Sequence, residues 1–178
     1  ISINKTGQSV QMIWNTAPDP VCGPDEVLVA VKATAVNRAD LLQAQGLYPP
    51  PPGDSPILGL EAAGEILSVG NAVAAWAPGD RVCGLVPGGG YASRAVIPQD
   101  WLIPLPDSWS YVMGAAIPEV WLTADTNLFQ EGGLGPGQTV LIHAGASGVG
   151  TAAIQLAHEM GARVAVTAGT AAKRKLCR

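Results

Sequence analysis

At 178 residues, 48% of them hydrophobic and 13% charged, the chain is long enough to bury a sizeable core and fits one or two domains. A formal charge of −4 with only ten basic residues argues against nucleic acid as a partner, and no apolar run reaches the roughly 20 residues that cross a bilayer. The first residues lack a basic segment followed by an apolar one, so a soluble, cytoplasmic protein is the expectation.

From Ile1 to about Ile117 the chain reads as short strands punctuated by turns: "GPDEVLVAVKA", "GLEAAGEILSVG", "PGDRVCGLV" and "GGGYASRAVIP". Val27, Val29 and Val31 recur at period two, and Pro78-Gly79-Asp80 marks a turn before Val82. The pattern predicts a mostly antiparallel β domain with one short helix, capped by Asn37 and ending near Gly46. "YPPPPG", Tyr48 to Gly53, reads as a stiff extended loop. After Asp107, helical spacing over Ser110 to Ala116 and Glu119 to Gln130 is interrupted by Pro118 and ended by Gly132-Gly133. This predicts linker helices within 118–138, leaving 139–178 as a second domain. The thiols of Cys22, Cys83 and Cys177 are odd in number, far apart and never form CxxC, so buried free cysteines are expected.

The second domain opens with a strand over Thr139 to His143, followed by a turn of small residues and a helix over about Val149 to Met160. Gly161 then serves as a stop, and a second strand runs from Arg163 to Thr167. Ala153, Leu156, Ala157 and Met160 share one helical face, which would pack on a parallel sheet. The start of a helix exposes unpaired N–H groups at the positive end of its dipole, so a phosphate docks there when no bulky side chain intervenes. Gly145, Gly148 and Gly150, among Ala144, Ala146, Ser147 and Val149, supply that clearance in the strand–turn–helix context of a dinucleotide fingerprint. Ser147 occupies the place of the usual middle glycine. The second strand ends in Ala168-Gly169-Thr170, followed by Lys173 and Arg174 with no acidic residue, which favours NADPH over NADH.

Five segments in order along nearly the whole chain, "NRADLLQAQGLYPPPPG", "ILGLEAAGEI", "GDRVCGLVPGGGYA", "AAIPEVWLTA" and "LIHAGASGVGTAAIQLA", resemble the zinc-free quinone oxidoreductases of the medium-chain dehydrogenase/reductase superfamily. Within it, the tumour-suppressor-inducible subgroup and its bacterial relatives look nearest, because a serine replaces the same glycine there. The resemblance implies an α+β and α/β architecture: a GroES-like, mostly antiparallel β domain over 1–117, then the first β-α-β unit of a Rossmann domain. It implies NADPH-dependent reduction of a small quinone without a metal. Zinc-dependent members ligate through a cysteine at the position of Asn37 and a histidine at that of Leu60, and this chain has neither ligand. The histidines that are present, His143 at a strand end and His158 on a helix, complete no zinc set.

By the same resemblance, Asn37 and Tyr48 line the substrate pocket, the amide donating to a carbonyl and the phenol donating a proton or walling the ring. Asp40 fixes their loop, and Thr123 lies near the nicotinamide. The run Gly88-Gly89-Gly90 suits either close approach to cofactor or an ordinary turn. A full Rossmann domain has about six strands, so the chain reads as an incomplete piece of a parent protein, itself expected to be a homodimer. Three further readings stand beside this one: an enoyl-thioester reductase of the same superfamily, which uses a tyrosine in a setting like Gly46-Leu47-Tyr48, a non-catalytic crystallin-like protein able to bind RNA, and an inert truncated product.

Overall fold

The computed structural model describes residues 1–6 and 9–178, and these divide into two compact units, Ile1–Pro118 and Glu119–Arg178. In the first, β1 (Ser2–Thr6) and β2 (Ser9–Ile13) form an antiparallel pair. The main sheet contains β3 (Glu26–Ala33), β4 (Glu61–Val69), β5 (Arg81–Leu85), β6 (Arg94–Pro98) and β7 (Leu102–Pro104). Its order is β6-β3-β4-β5-β7, with every pairing antiparallel.

Alternation along the strands decides what is buried. Val27 and Val29 point into one core with Ala62, Ile66, Val82, Val86, Ala95, Ile97 and Leu102, and Val31 packs at its rim. The opposite face carries Ala63 and Cys83, covered by Leu105 and by Ala115 of α2 (Tyr111–Ala115). Gly114 permits that cover, since a Cβ there would lie 2.6 Å from Leu105 Cδ1. Ser110 caps α2, its hydroxyl accepting from the Met113 N–H. Arg81 ties the segment after β7 back to the sheet by donating to the carbonyls of Pro106 and Trp109, with its guanidinium 4.8 Å from the Tyr111 ring centroid.

The second unit begins one residue into α3 (Pro118–Asp125), which runs into a π-helical turn over Thr126–Glu131. Pro118 therefore opens a helix where the spacing predicted an interruption. The first helical position tolerates proline because its N–H would be unpaired in any case. These helices also carry core residues: Ala124 and Leu128 are buried with Ile142, Ala152, Ala153 and Ala157.

Strands β8 (Thr139–Ile142) and β9 (Arg163–Val166) are parallel, in register from Thr139↔Arg163 to Ile142↔Val166, and joined by α4 (Gly148–Glu159). The buried face of α4 is Gly150, Ala152, Ala153 and Ala157. Met160, expected on that face, is 38% exposed. It is the C-cap residue, and Gly161 (φ +77°) turns the chain immediately after it, so the last turn contributes little to the core. A short helix, α5 (Ala171–Leu176), follows β9 and is capped by the Thr170 hydroxyl. No helix among the described residues is long and apolar enough to cross a membrane.

Candidate functional site

In the first unit the site is built around the N-terminus of α1 (Arg38–Gln45), which starts after Asn37 and closes on Gly46 in the left-handed conformation (φ +80°). The Asp40 side chain is fully buried. Its Oδ2 accepts from the Asn37 N–H at 2.7 Å and from the Tyr91 hydroxyl at 2.8 Å, and its Oδ1 accepts from the Gly59 N–H at 3.3 Å. One carboxylate thus joins a helix start, the loop before β4 and the loop before β6. Asn37 does more than cap: its Nδ2 donates to Glu61 Oε1 at 2.7 Å.

Gly59 and the triple-glycine run are the sequence's means of bringing these loops together. Gly90 N–H donates to the Gly59 carbonyl at 3.1 Å and Tyr91 N–H to the Leu58 carbonyl at 2.8 Å. A Cβ on Gly59 (φ +101°) would lie 2.6 Å from Tyr91 N, and one on Gly90 would lie 2.8 Å from the Glu61 carbonyl. The glycine run therefore serves backbone packing inside this unit, a third use beside the two expected from sequence.

Charge in this network shifts its neighbours. Burial, reinforced by the hydrogen bond and charge of Asp40 and then the charge of Glu61, raises the Tyr91 phenol well above its ordinary value, so it remains a donor. Burial first, and the Glu61 charge second, push the Cys83 thiol from 9.0 up to about 11. Of the expected thiols, Cys83 is buried, whereas Cys22 and Cys177 are half-buried. Tyr48 is 49% exposed, and its phenol shares no hydrogen bond with the Asp40 cluster. Among the described residues no three His, Cys, Asp or Glu side chains are placed to hold a metal ion.

In the second unit the small-residue turn is tied to the end of β9 through Thr167. Its carbonyl accepts from the Gly145 N–H at 2.9 Å, and its hydroxyl accepts from the Ala144 N–H at 3.4 Å and lies 3.1 Å from His143 Nδ1. Ala144 adopts a positive φ of 53°, which lets its carbonyl accept from Ser147 N–H at 2.8 Å. Ser147 caps α4, its hydroxyl accepting from the Gly150 N–H at 3.0 Å. Each glycine has a steric reason. A Cβ would lie 2.9 Å from Val166 Cβ at Gly145, 2.9 Å from Val120 Cγ1 at Gly148, and 2.5 Å from the Ala144 carbonyl at Gly150.

Ser147 satisfies Gly150, which leaves Gly148 and Val149 as first-turn N–H groups that an α-helix does not pair internally. With no acidic side chain from Val140 to Ala157, this turn fits a dinucleotide pyrophosphate. Beyond β9, Gly169 is open, Thr170 caps α5, and Lys173 and Arg174 are exposed, with Arg174 Nη1 donating to the Ala168 carbonyl at 3.3 Å. Those two cations suit a ribose 2′-phosphate. Thr123, half-buried on α3, accepts at its carbonyl from Asn127 Nδ2 at 2.8 Å.

Sequence reasoning named Asn37 and Asp40, but missed Glu61, Tyr91 and Thr167 as their partners and the turn's. Glu61 was legible only as the residue after Leu60 in a metal-site motif. Tyr91 and Thr167 carried no signal, because their contacts span 51 and 24 residues.

Residues 23–107 match the alcohol dehydrogenase GroES-like domain. Among curated proteins, erythronolide synthase EryA2 of Saccharopolyspora erythraea is 48% identical over 146 residues, covering 82% of this chain and 4% of that protein. Phthioceranic/hydroxyphthioceranic acid synthase of Mycobacterium tuberculosis is 38% identical over 156 residues, covering 88% of the chain and 7% of that protein. Among solved structures, the Escherichia coli quinone oxidoreductase complexed with NADPH is 35% identical, with a TM-score of 0.84 over 99% of this chain and 54% of its own. The CurK enoyl reductase is 32% identical, with a TM-score of 0.80 over 94% of this chain and 52% of its own. The chain therefore spans about half of these solved enzymes and a small part of the curated synthases. Residues 23–107 thus carry an alcohol dehydrogenase GroES-like domain.

Proposed function

We propose that this chain is part of an NADPH-dependent reductase that saturates the carbon–carbon double bond of an enoyl thioester within a polyketide-type synthase. The observation that carries this reading is the 48% identity over 82% of the chain to erythronolide synthase EryA2 and the 41% identity over 85% of it to a pikromycin polyketide synthase component, together with the match to an enoyl reductase structure. NADPH, when bound, would supply the hydride for the β-carbon, and a proton at the α-carbon would complete the saturated thioester. The chain's own residues bind, orient and donate. The Gly148 and Val149 N–H groups receive the pyrophosphate, with Ala144, Gly145, Ser147 and Gly150 shaping the turn around it. Gly169, Thr170 and Lys173, with Arg174, receive the phosphorylated ribose, and Thr123 lines the nicotinamide end.

As the double bond gains the hydride, negative charge moves onto the thioester carbonyl oxygen. The Asn37 amide donates to that oxygen, where a fixed donor lowers the barrier more than a mobile one. Asp40, being fully buried, acts by holding the Asn37 backbone rather than by touching substrate. Tyr48, with a half-exposed phenol and no bond to the Asp40 cluster, is the proton donor.

A second reading, reduction of a small quinone, is favoured by the likeness of 99% of the chain to the NADPH-complexed quinone oxidoreductase. It uses the same donors, since a quinone is also an electrophile conjugated to a carbonyl. The complete protein containing these residues is to be assayed for NADPH oxidation with a crotonyl thioester and with an ortho-quinone. A kcat/KM at least tenfold higher for the thioester is expected. The reverse preference replaces the first reading by the second.

A further inference from the structure

Asn37 is held by two buried carboxylates from different elements: Asp40 accepts from its backbone N–H and Glu61 from its side-chain Nδ2, each at 2.7 Å. Glu61 is 1% exposed and opens β4. Its own backbone is fixed from two sides, since its carbonyl accepts from Thr34 Oγ1 at 2.7 Å and the Gly90 backbone packs too closely against it to admit a Cβ. An ionised carboxylate can only accept hydrogen bonds, whereas an amide can turn either its nitrogen or its oxygen toward a neighbour. The neighbour therefore decides. Facing Glu61, the Asn37 amide has one stable orientation, nitrogen inward, with one N–H committed and the second left to donate.

We propose that Glu61 is a positioning residue, whose buried carboxylate fixes the amide orientation of Asn37 and thereby presents the remaining N–H to the carbonyl of the acceptor. This rests on the reading of Asn37 as that donor. Glu61 acts through Asn37 and touches neither acceptor nor cofactor. A neutral glutamine at 61 offers both a donor and an acceptor, so only the Asp40 backbone N–H of the capping box still favours the nitrogen-inward orientation of Asn37, and the selection is weakened. An aspartate keeps the charge but shortens the reach by one methylene.

The test is a double-mutant cycle in the complete reductase, with kcat and KM measured for the enoyl thioester and the quinone, and with thermal midpoint and NADPH affinity recorded for each variant. Glu61→Gln and Glu61→Asp are each expected to lower kcat by about fivefold or more with NADPH affinity unchanged. Asn37→Ala is expected to lower it as well. In the Asn37→Ala background, Glu61→Gln is expected to change kcat by less than about twofold, because residues acting as a unit are not additive.

An equal loss in both backgrounds, or wild-type kcat in both Glu61 variants, overturns the proposal while leaving Asn37 as the donor. Wild-type kcat in Asn37→Ala overturns the donor reading itself, and with it the role given to Glu61. If burial of the substituted side chain prevents one Glu61 variant from folding, the other completes the cycle.

Discussion

At the scale of residues, the first unit turns on Asp40. Three donors converge on a carboxylate with no exposed surface, so removing its acceptor oxygens leaves buried groups unpaired. Asp40→Ala is expected to lose about 3 kcal/mol or more in urea unfolding, and Tyr91→Phe, which deletes one hydroxyl, about 1.5 kcal/mol. Equal losses would contradict the assignment of Asp40 as the hub.

Cys83 makes a pH prediction of definite sign. Its thiol is raised in the folded state, so folding favours the protonated form. That contribution is complete below pH 9 and is lost as pH rises toward about 11. Stability measured across this window should fall, and Cys83→Ala should flatten the fall. Asn37 was legible in the sequence as the cap of a short helix, and Asp40 only through the family resemblance. Glu61 and Tyr91, 24 residues from Asn37 and 51 from Asp40 respectively, depend on loops brought together by glycines whose steric role only the fold exposes.

At the scale of elements, the strand–turn–helix–strand of the second unit was readable because glycines and alternation act locally. Two details were not. Pro118 reads as a breaker until its place at the first position of α3 is known. Met160 fits the apolar helical period, but the turn at Gly161 follows it directly.

The turn also separates steric from capping contributions. Gly150→Ala would place a methyl 2.5 Å from the Ala144 carbonyl, backbone that cannot give way without moving the turn. Ser147→Ala removes only the cap, a loss of about 1 kcal/mol. Gly150→Ala is therefore expected to weaken NADPH binding by about tenfold or more. Ser147→Ala is expected to stay within about threefold. Fluorescence titration of the complete protein reads both, and the opposite ranking would show that the serine, not the close approach, makes the turn.

At the scale of the whole molecule, the order of motifs matched a GroES-like β domain followed by a β-α-β unit. Composition did not separate a quinone from an enoyl thioester, since both acceptors place a carbonyl against the same donors. Cofactor choice is a charge question that can be tested on its own. Lys173 and Arg174 are exposed on α5, with no acid at the end of β9. Replacing both with alanine should weaken NADPH binding by about tenfold or more while leaving NADH nearly unchanged. An equal change for both cofactors would assign the two cations to the surface alone.

Hydride delivery to an enoyl thioester leaves an isotopic mark on the product. Turnover of a crotonyl thioester by the complete protein with NADPH carrying deuterium at both hydrogens of the nicotinamide C4 should yield a butyryl thioester carrying deuterium at the β-carbon. A product without deuterium, or no product while a quinone is reduced at full rate, would contradict it.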